Sequence, residues 1–334
     1  MKKIVYIGNN LTDKNPTTLV ALSKILAEEG YSVHVYSNLK NKFLRFLNSC
    51  LGVLKHYNAD YILIDTYSTK NFYMALAASQ LARLLAIKYI PILHGGNLKR
   101  RLNRNPLLCT LIFKYAEINV APSTYFLKVF QSKNFNIVCI PNAIDIKKYS
   151  FKKRVNLNPT LLWVRAFDKI YNPTMAVDVL ALLQKKYPTA KLCMIGPDKD
   201  GSLNKAKLLA KKRTIEDDIE FTGRLTKKQW NEKSRKFDVF INTTTIDNLP
   251  VSVIEAMALG LPVFSTNVGG IPFLIRNEEN GFLVDSNNTN QMVNAIDKLI
   301  KNPTKTSEIV KNARATVCNF DSEIVKDKWN AILN

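Results

Sequence analysis

The chain has 334 residues, of which 46% are hydrophobic and 22% charged. That excludes a disordered polypeptide and leaves room for two domains, each with its own core. The formal net charge is +21 and is uneven: residues 1–150 hold 20 Lys/Arg against 7 Asp/Glu, whereas residues 151–334 hold 28 against 20. Such a field favours an anionic partner, whether nucleic acid, anionic lipid or phosphorylated substrate, although a Lys- and Asn-rich codon bias produces the same excess with no partner at all.

The first apolar run, at 3–7, follows Met1-Lys2 and is too short for a signal peptide. Further runs at 32–36, 61–64, 88–93, 118–121 and 136–140 have the length of buried strands, and 17–29 and 72–85 between them have helical spacing. Gly30 after Glu28-Glu29 reads as a helix stop. From Pro141 to Pro159 the rhythm pauses in a Lys-rich stretch that reads as a linker. It restarts with strands at 160–164, 191–195, 219–222, 239–242 and 262–265, and helices at 174–186, 202–212, 226–236, 253–259 and 290–301. A last helical segment, 321–333, carries Trp329. Strands alternating with helices predict an α/β protein of two doubly wound parallel-sheet domains facing across a cleft. The expected domains are 1–146 and 147–317. No apolar run approaches the ~20 residues that span a bilayer, and five scattered cysteines without CxxC spacing read as reduced thiols. A soluble, cytoplasmic protein is expected.

Ligands of open parallel sheets sit beyond the carboxyl ends of the strands. The most informative such place is 242–263: a strand end, a polar loop with Asp247, then a helix with Glu255 in its first turn. Ser252-Val253-Ile254-Glu255 fits a capping box, in which Glu255 only reaches back to a backbone amide. The other reading is a ligand site, in which free amides at the helix start hold a diphosphate and the two acids, eight apart, hold sugar and ribose hydroxyls.

The run Glu255-Ala256-Met257-Ala258-Leu259-Gly260-Leu261-Pro262-Val263 resembles the EAMAxGxPV of retaining GT-B glycosyltransferases of family 4, the group 1 transferases with an E-x7-E pair. Ser265 to Pro272 resembles their STNVGGIP, and Asn280 to Val284 their NGxLV. Phe221-Thr222-Gly223, Met194 to Pro197, Ala121 to Tyr125 and Ile140 to Asp145 resemble further motifs in order along nearly the whole chain. The resemblance implies two Rossmann-like domains, with the last helix, 318–334, rejoining the first, and retaining transfer of a hexosyl unit from a UDP- or GDP-sugar to an acceptor hydroxyl. It implies no metal, and no cofactor beyond the nucleotide-sugar co-substrate. Catalytic roles fall on Asp247, Arg165 and His94. Donor contacts fall on Glu255, Lys169, Gly196, Gly223, Arg224, Asn248, Leu249, Pro250, Val251, Ser252 and Val253, and acceptor-side contacts on Gly8, Asn9, Asn10, Gly95 and Gly96. Four features depart from the pattern: Asp247 replaces a glutamate, Lys169 stands one place before the lysine of the family's GRxxxxKG, where Ile170 falls, Phe273 stands where a glutamate usually follows STNVGGIP, and Gly8-Asn9-Asn10 shortens a glycine-rich loop.

Asp198-Lys199-Asp200 reads as a turn, not a metal site. Lys99-Arg100-Arg101 with Arg104 reads either as a solvated loop or as a contact for an anionic membrane or a lipid-linked anionic acceptor. The apolar stripe of 41–55 reads as a core-facing helix, with a membrane-lying helix as the alternative. His34 and His56 read as structural. The expected setting is bacterial cell-surface polysaccharide, lipopolysaccharide or capsule synthesis at the inner face of the cytoplasmic membrane. An NAD-dependent dehydrogenase would need a G-x-G-x-x-G after the first strand, and Gly8 to Asp13 lacks it. The remaining alternative is a catalytically altered nucleotide- or nucleic-acid-binding protein on the same fold. No nucleic-acid motif is present, so no specific nucleic acid is expected.

Overall fold

The structure, a computed structural model, describes residues 1–8, 17–36, 38–39, 41–94 and 97–334. They form two compact units, Met1–Ile144 with Phe320–Asn334, and Asp145–Asn319.

Unit 1 is built on strands β1 (Lys3–Ile7), β2 (Ser32–Tyr36), β3 (Tyr61–Thr66), β4 (Lys88–Leu93), β5 (Asn119–Ala121) and β6 (Ile137–Cys139). Its connections carry helices α1 (Thr18–Glu28), α2 (Lys42–Lys55), α3 (Asn71–Leu84), α4 (Leu98–Arg104), α5 (Pro106–Phe113) and α6 (Thr124–Gln131). All pairings are parallel, in the order β2-β1-β3-β4-β5-β6. Successive strand residues point to opposite faces, so the two faces bury different sets. Val5, Ile7, Ile62 and Ile64 pack with Phe72 and Phe113. Ile4, Tyr6 and Leu63 pack with Leu19 and Leu26 and with Trp329 and Leu333 of the last helix.

Unit 2 holds β7 (Thr160–Val164), β8 (Lys191–Ile195), β9 (Ile219–Gly223), β10 (Val239–Asn242), β11 (Val263–Thr266) and β12 (Phe282–Val284). Its helices are α7 (Pro173–Gln184), α8 (Ser202–Lys212), α9 (Lys227–Ser234), α10 (Val251–Ala258), α11 (Thr289–Ile300) and α12 (Pro303–Cys318). The sheet is again parallel, ordered β12-β11-β10-β7-β8-β9. The final helix, α13 (Ser322–Leu333), returns to unit 1 and buries Val325, Trp329 and Leu333 there.

In each sheet one strand is flanked by neighbours reached in opposite directions: β1 lies between β2 and β3, and β7 between β8 and β10. The connections diverge at that point and leave a crevice beyond the carboxyl ends, where ligands of such sheets bind.

Three expectations change. Residues 145–159 are not a free linker but part of unit 2. The buried Arg154 ties them in by donating to the carbonyls of Phe237 and Gly260 (2.9 and 2.8 Å) and pairing with Asp238 (3.3 Å). The basic stretch Lys99–Arg104 lies in helix α4, not in a loop. Helix α2 is inside out. Arg45, Ser49, Gly52 and Val53 face the core, whereas Phe43, Leu44, Leu47, Leu51 and Leu54 are exposed, Phe43 by 68%. Among the described residues no helix is long and apolar enough to cross a membrane.

Candidate functional site

The crevice of unit 2 opens between the ends of β7 and β10. Arg165 is the first residue past β7, and its amide donates to the Ile195 carbonyl at 3.0 Å. Gly196 follows the neighbouring β8, and a Cβ there would overlap the Arg165 carbonyl, so only glycine admits this approach. The Arg165 guanidinium lies over the Tyr171 ring at 4.3 Å and pairs with the carboxylate of Asp247, which stands in the loop after β10. Burial lowers the Arg165 pKa from its usual value. The Asp247 loop is gripped from behind. Gly270 donates to the Asp247 carbonyl (3.0 Å), and a Cβ on Gly269 or Gly270 would collide with the carbonyl of Asp247 or Asn248. The sequence motif Gly269-Gly270 therefore acts as a backbone buttress for the acid.

The loop feeds α10. Asn248, Leu249 and Pro250 are buried, and Pro250 is the N-cap, which has no side-chain cap bond. The amides of Val253 and Ile254 both donate to the Pro250 carbonyl (3.0 and 3.2 Å). Val253 is thus already satisfied, contrary to expectation, and the amides of Val251 and Ser252 are those without a partner among the described residues. The Ser252 hydroxyl is also buried without a hydrogen bond. Three unspent donors at a helix N-terminus are the elements of an anion site.

Glu255 is not in a capping box and not in the first turn, because α10 starts at Val251. Its side chain is 5% exposed. Oε1 accepts from the Tyr149 hydroxyl (2.6 Å) and the Lys227 ammonium (2.7 Å). Tyr149 and Lys227 were not singled out by the sequence. Nothing in their neighbourhood marks them, and only folding brings segment 145–150 and the start of α9 to α10. Lys169 is exposed, and its backbone amide bonds Asp200 at 3.0 Å. Gly223 ends β9, and Arg224 beyond it is exposed. Asp198 and Asp200 spend their oxygens on the amides of Gly201, Leu203, Ser202 and Lys169. Among the described residues no group of three or more His, Cys, Asp or Glu is placed to hold a metal ion.

In unit 1 the corresponding crevice lies past β1, β3 and β4. His94 follows β4, is buried, and its Nε2 lies 2.8 Å from Asp65 Oδ1. The same oxygen accepts from the Tyr6 hydroxyl at 3.0 Å. The Tyr67 ring stacks on His94 at 5.1 Å. Burial, then the charge of Asp65, drives the Tyr6 pKa far up, so its hydroxyl remains a donor. Gly8 closes this cluster, since a Cβ on it would overlap the Asp65 carboxylate. A cavity of about 20 Å³, the size of a water, is bounded by Tyr6, His94, Asn142 and Trp329. Asp65 was missed because the apolar run stops at Ile64; an acid just past such a run, at the carboxyl end of a strand, was the available signal. Asn9, Asn10, Gly95 and Gly96 lie outside the described residues.

The family model described as glycosyl transferases, group 1, matches residues 145–316. Over the full length of both chains the sequence is 26% identical to an uncharacterized glycosyltransferase of Haemophilus influenzae. It is 22% identical to the Escherichia coli UDP-Gal:alpha-D-GlcNAc-diphosphoundecaprenol alpha-1,3-galactosyltransferase, over 83% of this chain and 76% of that protein. Among solved structures, Anabaena HepE in complex with UDP matches with a TM-score of 0.80 at 17% identity, covering 100% of this chain and 99% of that one. The two parallel sheets are those of the GT-B fold.

Proposed function

The chain belongs to the group 1 glycosyl transferases, and from that membership we propose that it moves a hexosyl unit from a UDP- or GDP-sugar to an acceptor hydroxyl with retention, as a family 4 enzyme. The observation that carries this is that, at the crossover of the unit 2 sheet, the Arg165 guanidinium pairs with Asp247, whose loop leads into the α10 N-terminus with the unspent donors of Val251 and Ser252. Charge builds on the leaving diphosphate as the sugar–phosphate bond breaks. Fixed donors aimed at that charge lower the barrier without reorganising. Arg165, the two amides and the Ser252 hydroxyl supply them, with the exposed Lys169 as a further cation, and the reaction draws no charge from a metal. Asp247 turns from Arg165 to the hydroxyls of the donor sugar, and Glu255 accepts from the ribose. In unit 1, His94 bonds a sugar hydroxyl, its ring held by Asp65. Support for a uridine donor comes from HepE, crystallised with UDP, and from the E. coli relative, whose name specifies UDP-Gal and a diphosphoundecaprenol acceptor. A cell-surface polysaccharide, lipopolysaccharide or capsule precursor is the corresponding acceptor here.

The same reading places the protein on the inner face of the cytoplasmic membrane through α2. Five large apolar side chains, Phe43, Leu44, Leu47, Leu51 and Leu54, form its outer stripe. Helices α2, α3, α4 and α5 contain no Asp or Glu but carry Lys42, Lys55, Arg83, Lys99, Arg100 and Arg104. An apolar stripe within an acid-free basic layer complements an anionic bilayer. Each apolar side chain contributes roughly 1.5–3 kcal/mol when buried, and each nearby cation about 1 kcal/mol.

Two experiments test these statements. In a thermal-shift screen with UDP, GDP, ADP, CMP and NAD, a ligand at 100 times its Kd stabilises by about 2.7 kcal/mol. UDP or GDP is expected to raise Tm whether or not EDTA is present; a rise with NAD alone, or with nothing, overturns the transferase reading. In flotation, the chain is expected to rise with phosphatidylglycerol vesicles, less so in high salt, and Phe43→Ser with Leu47→Ser to abolish it. Indifference to lipid charge, or dimerisation without lipid that the same variant abolishes, overturns the membrane reading.

A further inference from the structure

A carboxylate that accepts from a ribose diol must present a free oxygen at a fixed angle, and Glu255 is built for that by two residues outside the family motif. Oε1 is saturated by Tyr149 and Lys227, which approach from different elements. Rotating the carboxyl group would break both bonds. Oε2 has no partner among the described residues. We infer that Tyr149 and Lys227 are positioning residues for nucleoside recognition: they lock Oε1 of Glu255 and thereby aim Oε2 at the 2′- and 3′-hydroxyls of the donor. This rests on the reading that Glu255 meets the ribose.

Each locking residue is itself fixed. Tyr149 is buried, and its carbonyl accepts from Arg314 of α12 at 3.1 Å. The same Arg314 Nη1 also bonds the Ala258 carbonyl at the end of α10. Segment 145–150 is thereby fastened to the helix that carries Glu255. Burial and the Glu255 charge hold the Tyr149 phenol far above its ordinary pKa, so it stays a donor at any working pH. Lys227 opens α9 directly behind a capping box made by Thr226 and Gln229, which fixes the first turn from which the ammonium reaches out. A partner whose only task was to neutralise a buried acid would need neither a second donor on the same oxygen nor a free second oxygen.

The test compares Kd values, by calorimetry, for UDP, GDP and their 2′-deoxy counterparts. The variants are Tyr149→Phe, Lys227→Met, Lys227→Arg and Glu255→Gln, with Tm recorded for each. The wild-type chain should prefer the ribonucleotide at least ~10-fold, as expected for a hydrogen bond to a charged group. Tyr149→Phe and Lys227→Met should weaken the ribonucleotide until the preference is below about threefold, and leave the deoxynucleotide Kd unchanged. Lys227→Arg should keep the preference. A structural role would weaken both nucleotides equally or change only Tm. If Glu255→Gln abolishes the preference while Tyr149→Phe and Lys227→Met retain it, the inference fails and the ribose reading stands. If Glu255→Gln retains it, or the wild-type chain shows none, the ribose reading fails and the inference with it.

Discussion

Both units carry carboxylates at or after the strand next to the crossover, Asp65 in β3 and Asp247 and Glu255 after β10, and hold them in different ways. In unit 1, Asp65 sits among a tyrosine hydroxyl, an imidazole and the tight approach of Gly8. In unit 2, Asp247 faces the Arg165 guanidinium, and Glu255 faces an ammonium and a phenol. The difference sets what each crevice can admit. A buried charge that loses its partner costs several kcal/mol, whereas one that exchanges partners does not. On the proposed reading Arg165 exchanges Asp247 for a diphosphate, and Asp247 exchanges Arg165 for sugar hydroxyls. The unit 1 cluster offers only hydrogen-bonding groups and suits a neutral hydroxyl.

The largest effect that would break this contrast is at Arg165. Arg165→Ala is expected to lower kcat/KM by about 10²–10³, the range for losing one preorganised donor to a developing charge. Arg165→Lys should recover little, because an ammonium lacks the planar fork and stacks poorly on Tyr171. Adding Asp247→Ala to Arg165→Ala should return Tm toward wild type without returning turnover. Recovery of turnover in the double variant would mean that the pair only neutralises itself.

Next in size is the backbone buttress. In Gly270→Ala the new Cβ meets the Asn248 carbonyl, so the Asp247 loop must shift. Roughly a tenfold loss of turnover is expected, with a stability cost of about 1–3 kcal/mol. Unchanged turnover with the same Tm loss would show that the loop position does not matter to the acid.

A smaller effect is expected in unit 1. Asp65→Asn still offers an oxygen to Tyr6 and His94 but removes the charge that orients the ring. Turnover should fall about tenfold while Tm changes little, since a hydrogen bond to a charged group contributes about 1.5–3 kcal/mol in context. A large Tm loss with intact turnover would make the cluster structural.

What could be read from the sequence divides along similar lines. Buried parallel strands are continuous apolar runs, so β1, β4, β7, β8 and β10 are legible to the residue, and the half-buried β2 is legible by its apolar alternation; Arg165 stands just past β7, Asp247 in the loop after β10 and Glu255 in the helix that follows it. β3 was cut short at Ile64 because its last two residues, Asp65 and Thr66, are polar although buried, and burial of a polar pair is a tertiary fact. The periodicity of α2 gave an apolar stripe but not its direction. Spacing cannot say whether a stripe faces in or out, and here Arg45 and Ser49 take the core side. Tyr149 and Lys227 lie 106 and 28 residues from Glu255, and no local pattern encodes such a meeting.

The smallest effect separates a cation partner from a functional one. Asp297 of α11, in unit 2, accepts from Lys186 (3.0 Å), Tyr187 (2.8 Å) and Lys301 (3.0 Å), away from the β7–β10 crossover. Burial would raise its pKa, but the bonds from Lys186, Tyr187 and Lys301 outweigh that and hold it at about 2, against an ordinary 3.8. The folded value is the lower one, so the unfolded chain takes up the proton first. The stabilisation is complete above about pH 4, declines as pH falls through 4 toward 2, and is absent below. The shift corresponds to at most about 2 kcal/mol at neutral pH, and because Lys186 and Lys301 are 46% and 67% exposed, solvent screening brings it nearer 1. Asp297→Asn should therefore lower stability at pH 7, match wild type at pH 2, and leave turnover intact. Denaturant titrations at the two pH values, with an activity assay at pH 7, decide it. A parallel loss of turnover would mean that any cation-held carboxylate of unit 2 supports the reaction. Intact turnover leaves position at the crevice beyond β10, where the Asp247 loop and the Glu255 helix stand, as the property that separates a site from a salt bridge.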